Sequence, residues 1–222
     1  MTRPQKPNFL FIQTDQMTAF ALSHYGNPVV KTPNLDKLAA RGVVFQNAYC
    51  NNPICASSRF SMMSGQLSSR VGAYDNAAEF PAQVPTFAHY LVDQGYHTCL
   101  SGKMHFVGPD QLHGFQERVT TDIYPSDFGW TPDWLAEGHQ LPPSGMSMRS
   151  VVEAGISERS LQIDYDEEAC HQAEVKLWDY ARNSPDQPFF LAVSFTHPHN
   201  PFTTQSKYWN LYDHDKINMP TV

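Results

Sequence analysis

PFFLAVSFTHPH, residues 188–199, carries the signal that sets the fold class. Its first half is apolar without alternation, the pattern of a strand covered on both faces of a parallel sheet. Two other stretches share the design, NFLFIQTD (8–15) and YHTCLSGKMH (96–105). Each begins apolar and ends in polar residues able to do chemistry. Helix signals lie between them. Thr32 is placed to cap a helix opening at Pro33, with Leu35, Leu38 and Ala39 at helical spacing and Gly42 as the stop. PTFAHYLVDQG (85–95) also opens on Pro and closes on Gly, and YDEEACHQAEVKLWDYAR (165–182) has the length of a third helix. Strands alternating with helices predict an α/β fold, a mainly parallel or mixed sheet flanked by helices on both faces. The expectation is a single domain over residues 1–222, with a long excursion at about 106–160 rich in Pro, Gly, Ser and Met. The chain stops at NMPTV, which has the look of a cut within a longer domain.

Composition narrows the function classes. With 41% hydrophobic and 17% charged residues the chain fits a globular domain. A formal charge of -7 gives no basic footprint for nucleic acid and no polybasic patch for a membrane, so an anionic substrate must be captured by local charges. The start, MTRPQKPNFLFIQTDQ, lacks a secretory cleavage pattern, and no segment has the length of a membrane span. Cys50, Cys55, Cys99 and Cys170 are too sparse for a disulfide scaffold. A cytoplasmic protein with reduced thiols is expected.

In open α/β sheets ligands collect at the carboxyl ends of strands, where Asp15, Lys103, His105, His197 and His199 all fall. In an extended KMH segment (103–105), Lys103 and His105 would share a face and present an ammonium beside an imidazole. His197 and His199 of HPH would do likewise; such a pair can bind metal, transfer protons or cap a strand. Zinc sites take three or four ligands, and no HExxH or CxxC accompanies the pair. Asp15 and Gln16 offer oxygens suited to Ca²⁺ or Mg²⁺, and a strand-ending Asp also serves turns and caps. Within NPICASSRFSMMSG (52–65), Cys55 at a helix N-terminus would have Arg59 one turn on and an acidified thiol. Cysteine is also a common small buried hydrophobe, and serines often start helices. A phosphatase-type anion loop is excluded, because it spaces its Arg farther from the Cys and uses glycines that CASSR lacks.

The CxSxR pattern of Cys55, Ser57 and Arg59 resembles the modification signature of the sulfatases. TPNLDKLAARGVVFQNAYC before it, MSGQLSSRVGAYDN after it, then GYHTCLSGKMHFVG and FFLAVSFTHPHNP extend that resemblance over nearly the whole chain. AYDNAAEF, TCLSGKMHFVGPDQLHGF and TDIYPSDFGWTPDW are similar to the choline sulfatase group within the family. The resemblance implies an alkaline-phosphatase-like fold and hydrolysis of a small organic sulfate ester such as choline-O-sulfate. A formylglycine-generating enzyme would convert Cys55 to Cα-formylglycine, whose hydrate attacks sulfur and whose second hydroxyl later expels sulfate.

By the same resemblance Arg59 stabilises that hydrate, Lys103 holds sulfate oxygens, His105 assists hemiacetal breakdown and His199 protonates the leaving oxygen, with His197 as its neighbour at the substrate. Asp15, Gln16 and residue 55 would bind a divalent cation, Ca²⁺ ahead of Mg²⁺. Trp130 is either a cation–π wall for a choline-type headgroup or a packed loop Trp. Family chains continue well beyond this length, so the C-terminal half, with further metal ligands and a second sulfate-binding Lys, is expected to be missing. A homo-oligomer, a phosphonate monoester or phosphodiester hydrolase sharing the same formylglycine, and an inactive unmodified fragment or binding module stay open.

Overall fold

The computed structural model describes residues 6–131 and 148–217. Strands β1 (Phe9–Gln13), β2 (His97–Gly102), β3 (Glu117–Arg118) and β5 (Phe189–Ser194) form one sheet in the order β1-β5-β2-β3, with every pairing parallel. A second, two-stranded sheet joins β4 (Gly155–Ile156) to β6 (Thr203–Thr204). The helices are α1 (Pro33–Ala39), α2 (Cys55–Ser64), α3 (Ser68–Val71), α4 (Phe87–Asp93), α5 (Arg149–Val152), α6 (Leu161–Asn183) and α7 (Ser206–Trp209).

The unalternating apolar run of β5 is explained by helices on both its faces. Phe190 and Ala192 pack with Leu100 of β2 against Ala56, Phe60 and Met63 of α2 and Ala88 of α4. Leu191 and Val193 point the other way, joining Cys99 of β2 and Ala173 of α6. The α/β architecture expected from the sequence is therefore the one observed. Helix ends also follow their local chemistry. Gly65, at φ 68°, closes α2, and Thr86 and His89 form a capping box at the start of α4. The third helix is longer than its apolar pattern indicates, because Ser160 caps it at Leu161, where its hydroxyl accepts the Ile163 N–H at 3.2 Å.

Three expectations need correction. First, β1 was expected to be buried, yet Leu10 and Ile12 are 50% and 58% exposed; among the described residues β1 pairs with β5 alone, at the sheet edge. Second, β2 stops at Gly102 and β5 at Ser194, so neither KMH nor HPH is extended. Carboxylates take over where the ladder ends: Asp122 accepts the N–H groups of Met104 (3.0 Å) and His105 (2.8 Å), while Asp166 accepts those of Thr196 (2.6 Å) and His197 (2.9 Å). His105 thereby sits at φ 62°, in the left-handed region. Third, the excursion after residue 106 contributes β3 to the main sheet and also carries α5 and, in the second sheet, β4. Residues 132–147 of that excursion lie outside the described residues. No helix among the described residues is long and apolar enough to cross a membrane.

Gly102 lets the two strand ends approach closely. It lies at φ 102°, and a Cβ there would meet the Ser194 carbonyl oxygen at 2.0 Å. Lys103 follows directly, so this contact sets where its side chain starts.

Candidate active site

Asp15 stands just past β1 and is buried with the two cations that flank it. Its Oδ2 lies 2.7 Å from Lys103 Nζ and 2.8 Å from Arg59 Nη2. Burial alone would raise this carboxyl, but Lys103 and Arg59 outweigh it and hold the pKa down to about 2. Arg59, on α2, is locked from several directions. Its Nη1 donates to the Lys103 carbonyl (2.7 Å), Ser194 Oγ (2.9 Å) and Gln13 Oε1 (3.2 Å), tying α2 to the ends of β1, β2 and β5. Among the described residues Asp15 is the one carboxylate within ion-pair distance of Arg59 or Lys103. Two buried cations thus share one anion, which leaves the cluster an excess positive charge and suits it to an incoming oxyanion.

Cys55 opens α2, and the Asn76 side chain accepts the Ala56 N–H at that helix start (3.0 Å). The Cys55 Sγ lies 3.4 Å from Asp15 Oδ1 and 3.7 Å from Lys103 Nζ. The expected acidified thiol is not found: burial pushes its pKa up, Lys103 opposes this, and Asp15 adds to the rise. Asp15, Cys55 and His199 present ligand atoms that all lie within 4.8 Å of one another. Gln16 is exposed, at φ 61°.

His105 is buried behind this group, and burial together with the Lys103 ammonium lowers its pKa to about 4, so its imidazole is neutral near pH 7. Trp130 meets it edge-on with ring centroids 5.7 Å apart.

A family model described as Sulfatase matches residues 7–221. The chain belongs to the sulfatase family. It is 48% identical over 220 residues to the choline-sulfatase of Rhizobium meliloti (strain 1021), covering 98% of this chain and 43% of that one. To the arylsulfatase of Clostridium perfringens (strain 13 / Type A) it is 30% identical, covering 98% and 48% of the two chains. Among solved structures, the phosphonate monoester hydrolase of Agrobacterium radiobacter matches with a TM-score of 0.69 at 24% identity, over 96% of this chain and 45% of that one, a likeness of fold. The chain spans less than half the length of these curated relatives.

This sulfatase chain therefore brings Asp15, Cys55, Arg59, Lys103 and His199 together, with His105 and Trp130 alongside. His197 is placed elsewhere. Its Nδ1 lies 2.6 Å from Asp166 Oδ2 and its Nε2 3.2 Å from the Thr203 carbonyl, and the Asp166 hydrogen bond raises its pKa. Asp122, Asp166, Asn76, Gln13, Ser194 and Tyr124 also shape the site and were not singled out from sequence. Asn76 and Tyr124 do lie inside AYDNAAEF and TDIYPSDFGWTPDW, the blocks similar to choline sulfatases.

A hard cation would find one suitable donor in the carboxylate of Asp15, whereas the sulfur of Cys55 and the imidazole of His199 are softer. The fit to Ca²⁺ improves once an oxygen replaces sulfur at position 55, and a six-to-eight-oxygen shell calls for further donors.

Proposed function

We propose that this chain supplies the nucleophile, anion-holding and proton-transfer groups for hydrolysis of a small organic sulfate ester of the choline-O-sulfate kind. One observation carries the reading: side chains from residue 15 to residue 199 meet at the strand ends, where two buried cations share a single carboxylate beside Cys55. Converted to formylglycine, position 55 would offer an aldehyde hydrate oxygen to attack sulfur. A divalent cation, Ca²⁺ by the donor preference of the Asp15 carboxylate, would polarise that oxygen and the sulfate.

The chain's own residues define the remaining roles. Lys103 faces the Cys55 side and holds sulfate oxygens as charge develops on them. Arg59, fixed by its Nη1 bonds, keeps Asp15 in place and stabilises the group at position 55. His105, neutral at pH 7, takes up the proton released when the intermediate breaks down. His199 lies close enough to position 55 to protonate the leaving oxygen. His197, held by Asp166, keeps the chain leading to His199 in shape. A quaternary ammonium at the far end of the ester would meet Trp130, and the 48% identity to a choline-sulfatase supports that headgroup.

The test is co-expression with a formylglycine-generating enzyme, followed by mass spectrometry and turnover assays. The peptide containing residue 55 should become lighter by ~18 Da. Converted protein should hydrolyse choline-O-sulfate in preference to an aryl phosphonate. Preference for the phosphonate would favour a phosphonate monoester hydrolase instead, and absence of conversion would favour the inactive fragment.

A further inference from the structure

We propose that Tyr124 is a positioning residue of this site, its ring the shared seat of the Lys103 ammonium and the His105 imidazole. What those two groups then do rests on the sulfatase reading above. The Lys103 Nζ stands 4.4 Å from the centroid of the Tyr124 ring, well inside cation–π range. On the same ring, His105 lies at 4.9 Å, Trp130 at 5.4 Å and His199 at 6.2 Å, centroid to centroid. One aromatic side chain thus touches or borders groups from both strand ends.

Two further observations make this more than packing. Lys103 is 0% exposed, shares its carboxylate partner with Arg59 and otherwise meets the Cys55 sulfur, so the negative face of an aromatic ring adds to what compensates its lost hydration. The ring is also held in register with β2. Thr120 Oγ1 accepts the Gly102 N–H (2.7 Å), the Thr121 carbonyl accepts the Tyr165 hydroxyl of α6 (2.7 Å), and Asp122 holds the Met104 and His105 amides. Segment 120–124 is stitched to the strand end whose side chains Tyr124 supports, so ring and ammonium move together.

The test uses NMR on the chain with isotope-labelled lysine, with the Lys103 signals assigned by their loss in Lys103→Gln. In the wild type the Lys103 side-chain protons next to Nζ should be displaced upfield by the ring current. Tyr124→Phe should keep that displacement and Tyr124→Leu should abolish it. Titration with inorganic sulfate should show affinity unchanged in Tyr124→Phe and about 3- to 30-fold weaker in Tyr124→Leu, the range of a desolvated cation–π contact. The proposal is overturned if the wild-type Lys103 signals lack the displacement, if a folded Tyr124→Leu binds sulfate as the wild type does, or if Tyr124→Phe is as weak as Tyr124→Leu. Should Tyr124→Leu not fold, the wild-type and Phe spectra still decide. A wild-type chain that bound no sulfate would count against the anion-site reading, while the Lys103 signal would still report on Tyr124 by itself.

Discussion

Lys-Met-His after β2 and His-Pro-His after β5 look alike in sequence and differ in space. Both strands end in a turn held by a carboxylate from elsewhere, the buried side chain of Asp122 for the first and the half-buried Asp166 for the second. Asp122 accepts the two backbone amides and pairs with Arg118 at 2.8 Å, which leaves Lys103 and His105 free to face the site. Asp166 accepts its two amides and also engages the His197 ring, so His199 alone of that pair reaches Asp15 and Cys55. What a strand-end side chain is available to do depends on whether the carboxylate shaping its turn also takes the side chain.

The largest expected effect breaks the link between the two ends. Gly102→Ala would place a Cβ at 2.0 Å from the Ser194 carbonyl at a φ that L-residues rarely adopt. Strain and overpacking together should cost about 4 kcal/mol, read as a lowered urea midpoint. A variant as stable as the wild type would mean that the strand ends can separate without penalty.

Removing each carboxylate separates their roles. Asp122→Ala leaves two amides without their acceptor and the Arg118 guanidinium without its carboxylate partner, and should cost about 3 kcal/mol. Asp166→Ala, at the more open end, should cost about 2 kcal/mol and return the His197 pKa toward its ordinary value. Urea unfolding checks the energies and NMR titration checks His197. Equal costs with an unmoved His197 would show that the two carboxylates do not differ as described.

Much of this arrangement can be read from the chain. Apolar runs that end in Asp15, KMH and HPH mark three strands and the sheet end where ligands gather, and a Pro or Gly at a helix boundary acts through local backbone geometry. What cannot be read depends on distant partners. Asp122 lies in a loop and Asp166 on a helix face, and nothing within a few residues of either shows that a strand end will rest on it. The edge position of β1 is equally hidden, because FLFI is as apolar as the central FFLAVS and strand order is set by packing. The raised Cys55 pKa was missed for a related reason: a helix N-terminus can be inferred locally, whereas the burial that outweighs it comes from the tertiary structure.

The histidines offer the finest comparison and, at neutral pH, the smallest energetic effect. His105 is lowered to about 4 by burial and Lys103, with Asp122 opposing, whereas His197 is raised by Asp166. As pH falls below about 6.5 the unfolded chain protonates at position 105 but the folded chain resists until about 4, so the His105 contribution is complete above 6.5 and is lost across that interval. The sign for His197 is opposite: its contribution is complete below the ordinary histidine pKa and is lost as pH rises through its raised value. His113, lowered to about 4 chiefly by burial, steepens the acid limb as well, so His105→Asn must be compared with the wild type and not with a flat line. That variant should flatten the loss of stability between about pH 6.5 and 4, while His197→Asn should flatten the loss above. Ring-carbon NMR at pH 5.5 should find His197 charged and His105 neutral, and the reverse order would mean that burial at one strand end and the carboxylate at the other do not govern these two imidazoles.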